Sequence, residues 1–277
     1  MALRIMVSRH SAFYSPLICT IARGFKAEYS ILGPGQRSYE LIRDGVVDIM
    51  QSAPSSNWGP MEKGISPLPV HFALINRRDG FFLAGRKRED GFTWKNLEGK
   101  RLLADHGLQP ITMLRYAAKH NGVDWSKINV IDRGAPEEMI AAFRRGEADY
   151  VHLQAPGPQM LEEDGIGWTV VSVGASMPEV AFSSLCCSRE FMATQAFADF
   201  LRAYKEARSW VQGDDPRASA FLQNSYFPGV SLGALKEAIE RYQALGTWTG
   251  SPEITEDLYR QALRVFDTDQ PFDAVCA

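Results

Sequence analysis

Residues 41–54 read LIRDGVVDIMQSAP, and residues 142–156 read AFRRGEADYVHLQAP. Each stretch closes an amphipathic helix with an arginine (Arg43, Arg144), stops it at a glycine (Gly45, Gly146) and places an aspartate three residues later (Asp48, Asp149). A short apolar strand and a small-Pro exit follow, Ala53-Pro54 and Ala155-Pro156. Glycine just past a helix takes the left-handed conformation that caps it, and the apolar run behind it suits a strand buried in a parallel sheet. Helix–Gly–strand junctions occur in any α/β protein. Two near-copies also fit two similar α/β lobes that offer their strand ends to one cleft.

Working outward, the chain alternates strand and helix twice. The first round expects strands at Leu3–Val7, Tyr29–Leu32 and Val47–Gln51, with helices over about 13–24 and 37–44. Pro67–Asn76 and Gly80–Leu83 read as extended, and the charged, turn-rich stretch Arg86–Gly99 reads as a crossing. The second round expects strands at Arg101–Ala104, Lys127–Ile131 and Asp149–Leu153, with Pro110 and Pro136 in the first turns of two helices. Trp168–Val173 and Val180–Ser188 follow as strands, and about 189–266 reads as helical. Phe197, Phe200, Leu201, Tyr204 and Val211 fall on one face at helical spacing, a core stripe. Such alternation predicts parallel-rich sheets with helices on both faces.

Bulk properties exclude several classes. With 277 residues, 45 % apolar and 23 % charged, the chain has the make-up of a globular protein long enough for two cores. A net charge of −3 offers nucleic acid no basic face, and Arg86-Lys87-Arg88 is answered at once by Glu89 and Asp90. No run is long enough to span a bilayer. MALRIMVSRH reads as a strand rather than a secretion leader, which implies a cytoplasmic protein as written, or a periplasmic one if a leader was trimmed. Cys19, Cys186, Cys187 and Cys276 form no disulfide framework. The five histidines show neither an i, i+4 pair nor a Cys-x-x-Cys partner, so no metal is expected. Gly33-Pro34-Gly35-Gln36 lacks the dinucleotide fingerprint and the phosphate-loop lysine, so no nucleotide cofactor is expected either.

The order of elements resembles the nitrate/sulfonate/thiamine-precursor solute-binding proteins of ABC transporters, which have the type II periplasmic-binding-protein fold. The resemblance rests on the loop Ser8–Tyr14 after the first strand and on Gly45–Ser52 and its second copy Gly146–Leu153. Leu97-Glu98-Gly99-Lys100 matches the entry to lobe two, Phe182–Ser188 running into Arg189-Glu190-Phe191 matches the return, and PFDAVCA matches the closing segment. It implies two α/β lobes, the first from 1–84 and 183–277 and the second from 85–182. A hinge is implied near Leu83–Gly85 and Val180–Ser183, with a ligand cleft between the lobes. The chain departs from the thiamine-pyrimidine synthases of that group. It lacks their cysteine-rich motif before the return strand and their Lys and His after the third strand.

In open α/β sheets, ligands sit beyond the carboxyl ends of the strands, where helix N-termini present free N–H groups. At those points the chain places Arg9, His10, Gln36, Ser52, Asn57, His106, Gln109, Arg133 and Gln154. Phe13, Tyr14 and Trp58 supply apolar surface nearby. The expected function is capture of a small organic or oxyanion ligand, with Arg9 and Arg133, one from each lobe, gripping its acidic group. The expected partner is an ABC transporter permease, and no catalytic residue is assigned. The alternative is an enzyme on the same scaffold, such as a decarboxylase, desulfinase or thiamine-precursor-type enzyme.

Overall fold

Two five-stranded sheets organise the chain in the computed structural model, which describes residues 2–277. The strands are β1 (Leu3–Val7), β2 (Ala27–Ile31), β3 (Ile49–Ser52), β4 (Val70–Asn76), β5 (Phe81–Gly85), β6 (Arg101–Leu103), β7 (Asn129–Ile131), β8 (Tyr150–Gln154), β9 (Trp168–Ser172) and β10 (Ser183–Cys187). The first sheet has the order β2-β1-β3-β10-β4 and the second β7-β6-β8-β5-β9. In each, three strands run parallel, a fourth is antiparallel to the third, and an edge strand is antiparallel to that fourth. The two sheets are therefore built to one plan, with β6, β7 and β8 in the places of β1, β2 and β3.

The duplicated sequence explains part of this likeness. Gly45 and Gly146 both adopt positive φ, 65° and 85°, and stop the helices Ser38–Arg43 and Pro136–Arg144 just before β3 and β8. The aspartates that follow do not reach the cleft. Asp48 accepts from the backbone N–H of Arg4 at 2.8 Å and from its Nη2 at 2.6 Å, while Arg4 Nη1 donates to the Gly45 carbonyl at 2.6 Å. Asp149 repeats the pattern with Arg101, at 2.9 Å and 3.0 Å, and Arg101 Nη1 reaches the Gly146 carbonyl at 3.3 Å. Each clamp fastens the start of one inner strand to the turn that feeds its neighbour.

The strand β5 differs from the expected lobe boundary. Extended reading at 80–83 placed it before the crossing, but β5 hydrogen-bonds to β8 and β9 within the second sheet. The crossings are residues 77–80, between β4 and β5, and residues 173–182, between β9 and β10. Apolar content alone cannot say which sheet receives a strand, because β4, β5 and β10 are all buried on both faces. The crossings pack so closely that a Cβ on Gly174 would overlap the Asp79 carbonyl.

The C-terminal region packs helices around the first lobe. Thr194 caps the helix Gln195–Gly213 by accepting from the Phe197 N–H, and Phe197, Phe200, Tyr204 and Val211 are buried along it. Residues 245–255 break the expected helical run between Leu232–Ala244 and Glu256–Phe266. That break carries the buried Trp248, whose Nε1 donates to Asn76 at 2.9 Å. Tyr242 ties the first crossing to the loop after β8: its hydroxyl donates to the Gly80 carbonyl and accepts from the Ala155 N–H, each at 2.9 Å. Among the described residues no helix is long and apolar enough to cross a membrane.

Candidate functional site

The loops after β1, β3, β6 and β8 converge between the lobes because these are inner strands of the two sheets. The cleft they form has two adjacent compartments. One, of about 220 Å³, is the more polar in its side chains, with Ser8, Tyr14, Ser52, Ser55, Ser56, Gln109, Gln154 and Ser183 beside Phe81, Leu108, Pro110 and Phe182. The other, of about 330 Å³, is mainly apolar, lined among others by Ile31, Met139, Ile140, Leu153, Met160, Phe227 and Val230. Arg9, Phe81 and Gln154 belong to both walls and stand between them.

Arg9 is the central charge. Its Nη1 donates to Asp105, which comes from the opposite lobe after β6, and the guanidinium lies 5.9 Å from the centroid of the Phe81 ring. Phe81 in turn stacks on His152 at 4.2 Å. Burial pushes the Asp105 carboxyl up, but the Arg9 guanidinium outweighs burial and holds it below the usual carboxylate range. The Gly107 N–H, 2.8 Å from Asp105, adds to that. Burial lowers the Arg9 pKa while Asp105 raises it, with a net rise. Both groups are therefore charged, an ion pair that bridges the lobes.

Other contacts also span the cleft. Ser55 Oγ donates to Gln109 Oε1 at 3.2 Å, and Ser11 Oγ donates to the Ala155 carbonyl at 2.9 Å. Beside the pair lie buried groups with few partners. His152 has neither ring nitrogen hydrogen-bonded, and burial lowers its pKa to about 3, leaving it neutral. Asp79, fully buried at the crossing, is pushed up to about 8 by burial, so it is protonated at neutral pH.

Of the residues expected in the site, Arg9, Tyr14, Ser52, Gln109 and Gln154 line the polar compartment, and His10 lines the apolar one. His10 Nδ1 lies 2.8 Å from the Tyr29 hydroxyl, and burial lowers its pKa. The remaining residues lie elsewhere. Arg133 is half exposed and donates to Glu147 at 2.8 Å, and Gln36 folds back to accept from the Gly33 N–H at 2.7 Å. Both follow edge strands, β7 and β2, whose ends lie at the flanks of the sheets. The expected clamp of two arginines is thus not formed. His106 Nδ1 turns to its own Ala104 carbonyl at 2.8 Å. Asn57 donates to the Pro69 carbonyl and Trp58 to Tyr259, both buried scaffold contacts, and Phe13 packs in the core against Phe182 and Tyr242.

Sequence reading missed Asp105, Phe81 and Ser55, as well as the apolar compartment. Asp105 opens the loop after β6 at a strand end, which was the usable signal; an aspartate two residues before a glycine looks like ordinary turn chemistry. Among the described residues, no group of three or more His, Cys, Asp and Glu side chains is placed to hold a metal ion. Burial also pushes the Cys19, Cys187 and Cys276 thiols up to about 12, far from the range of a thiolate nucleophile.

The architecture is that of a two-lobed binding protein: the chain has the type II periplasmic-binding-protein fold. It is similar to YtlA of Bacillus subtilis, named as a binding protein without a stated ligand, at 23 % identity over 269 residues, covering 93 % of this chain and 80 % of YtlA. Among solved structures it is similar to the zinc-bound ligand-binding component of an ABC-type import system from Staphylococcus aureus, with a TM-score of 0.75 at 15 % identity over 100 % of this chain and 96 % of that one. It is also similar to the periplasmic aliphatic sulphonate binding protein SsuA of Escherichia coli, with a TM-score of 0.72 at 14 % identity over 96 % of this chain and 85 % of that one. No protein-family model matches the chain.

Proposed function

We propose that this protein captures a small organic solute between its lobes and hands it to an ABC-type importer. The observation that carries this reading is the cleft itself. Two sheets of one plan turn their inner strand ends toward each other, and the side chains that follow those strands line cavities between the lobes. Open α/β sheets bind ligands at this position. Solved structures of the same fold named as ligand-binding or sulphonate-binding components support the reading, as does the similarity to a binding protein over nearly the whole chain. The periplasmic setting named for SsuA supports a site outside the cytoplasmic membrane, and we propose that compartment here in preference to a cytoplasmic one.

The lobes, split at residues 77–80 and 173–182, would close by a hinge motion on the solute. An anionic head finds one arginine rather than two in the cleft, and Asp105 already holds that one. The enzymatic alternative draws no support from the relatives.

Native mass spectrometry of the purified protein, followed by denaturation and analysis of what is released, tests the proposal. An intact small molecule is the expected product, and adding it back should contract the radius of gyration in solution scattering. Chemical turnover of that molecule, or its binding with no change in scattering, would defeat the reading.

A further inference from the structure

The charges on the cleft walls do not balance. Arg9 and Asp105 are paired across the lobes, and Asp105 is fixed a second time by the Gly107 N–H at 2.8 Å. Burial lowers the pKa of His10 on balance, so its imidazole is neutral at pH 7. The remaining charge on the wall of the apolar compartment is Glu137. Glu137 is exposed in the first turn of the helix Pro136–Arg144. Its neighbour Glu138 turns back to accept from the Ala135 N–H at 3.1 Å, whereas Glu137 has no ion-pair or hydrogen-bond partner among the described residues. It still acts on the interior. Burial is the largest influence on both Arg9 and His10, and Glu137 opposes it by raising each of them. A free carboxylate therefore stands at the mouth, near the ion pair, and leaves the compartment with one negative charge in excess.

Around that carboxylate the wall is hydrocarbon. Ile31 is 53 % exposed, and Pro136, Met160, Pro228 and Val230 are each at least partly so. Covering such surface removes it from water. The volume of about 330 Å³ falls at the small end of the roughly 300–1,000 Å³ that ligand pockets span. A small apolar body fits there, with a charged end left at the mouth where water still reaches it. A carboxylate or sulfonate at that point would face Glu137 and find Arg9 already held by Asp105, and like charges disfavour such an arrangement. A cation meets the opposite balance. The helix N-terminus opposes it with only about half a positive charge, against the carboxylates of Glu137 and Glu138 in the same turn.

We infer that the solute is an amine with a small apolar body, its ammonium beside Glu137 at the mouth and its hydrocarbon in the compartment behind. This rests on the solute-capture reading and names the chemistry of the same cleft. Arg9 stays with Asp105, joining the lobes, and does not meet the solute's charge. Calorimetric titration at pH 7 with three compounds that share one body tests it: 3-phenylpropylamine, 3-phenylpropan-1-ol and 3-phenylpropanoate. The amine should bind roughly tenfold or more tighter than the carboxylate, with the alcohol between them. Because the charges meet near water, raising the salt from about 20 mM to about 500 mM should shrink that gap. Glu137→Gln should weaken the amine and tighten the carboxylate until less than about a threefold gap remains. Its melting temperature should not move, and Glu137→Lys should reverse the order of the two charged probes. Equal or tighter binding of the carboxylate by the unaltered protein overturns the inference, and so does an undiminished gap in Glu137→Gln. Failure of all three probes in a protein that still releases an intact solute also overturns it and leaves the capture reading standing; absence of any released solute strikes at the capture reading instead.

Discussion

The two lobes hold the same clamp and offer different chemistry. Arg4–Asp48–Gly45 and Arg101–Asp149–Gly146 match bond for bond, and both clamps lie at the ends of the strands away from the cleft. At the cleft ends the likeness stops. Where β1 delivers Arg9, β6 delivers Asp105, and where β3 delivers Ser52, β8 delivers Gln154. Repeated residues keep the scaffold, and it is the unmatched ones that face the cleft. The segment joining the lobes has no counterpart at all, with Asp79 buried under Gly174 and a contact network of its own.

That joining segment should show the largest effect. Asp79 is protonated in the folded protein up to about 8, whereas in the unfolded chain it ionises near its ordinary value of about 3.9. A carboxyl whose folded pKa is raised loses stability as pH rises between those two values and changes no further above the upper one. Each pH unit in that window removes at most about 1.4 kcal/mol. Asp79→Asn keeps the acceptor that Phe81 N–H uses at 2.7 Å and removes the titration. The variant should therefore gain about 2–4 kcal/mol relative to the parent on going from pH 5 to pH 8. Urea unfolding at the two pH values measures it; parallel curves for the two proteins would show that Asp79 ionises freely in the fold.

The clamps come next, and their two copies should differ. Asp48 is raised by burial and lowered more strongly by Arg4, and Asp149 is lowered chiefly by its bond to Arg101. Both net shifts are downward, so their stabilisation is complete above the unfolded carboxylate range and lost as pH falls through the folded values. The Asp48 side chain is 19 % exposed and that of Asp149 36 %. Solvent screening therefore weakens the second pair more. Asp48→Asn should lower stability by about 1–2 kcal/mol and Asp149→Asn by less than about 1 kcal/mol at pH 7. Both differences should shrink as pH falls below the ordinary carboxylate range. Equal losses would mean that the clamps are energetically as alike as they are geometrically.

How much of this was legible follows from the same contrast. Helix–Gly–strand periodicity is local, and it exposed the two-lobed plan from residues 41–54 and 142–156. The meaning of Asp48 and Asp149 was not local, because Arg4 and Arg101 lie far away in sequence and reach them only through the sheet. Arg9, Ser52 and Gln154 could be found because they end inner strands, while Gln36 and Arg133 end edge strands. A strand's position in the sheet is set by long-range pairing and has no signature in its own residues. The same holds for β5, whose apolar run suits either sheet. Asp105 escaped notice because its role depends on a partner in the other lobe.

The smallest effect is expected at Arg133, where it discriminates most between edge and inner positions. Its side chain is 47 % exposed and bonded to Glu147, itself also paired with Arg145 at 2.7 Å. Removing one arginine leaves Glu147 with the other, and exposed ion pairs are worth about 0–1 kcal/mol. Arg133→Gln should change stability by less than about 0.5 kcal/mol and leave affinity for the co-purified solute unaltered. Arg9→Gln should weaken that affinity, because it leaves Asp105 charged and unpaired inside the cleft. Calorimetric titration of both variants against the same solute separates the positions. A loss of affinity in Arg133→Gln comparable to that in Arg9→Gln would put the β7 loop back in the site, and with it the clamp of two arginines that the sequence suggested.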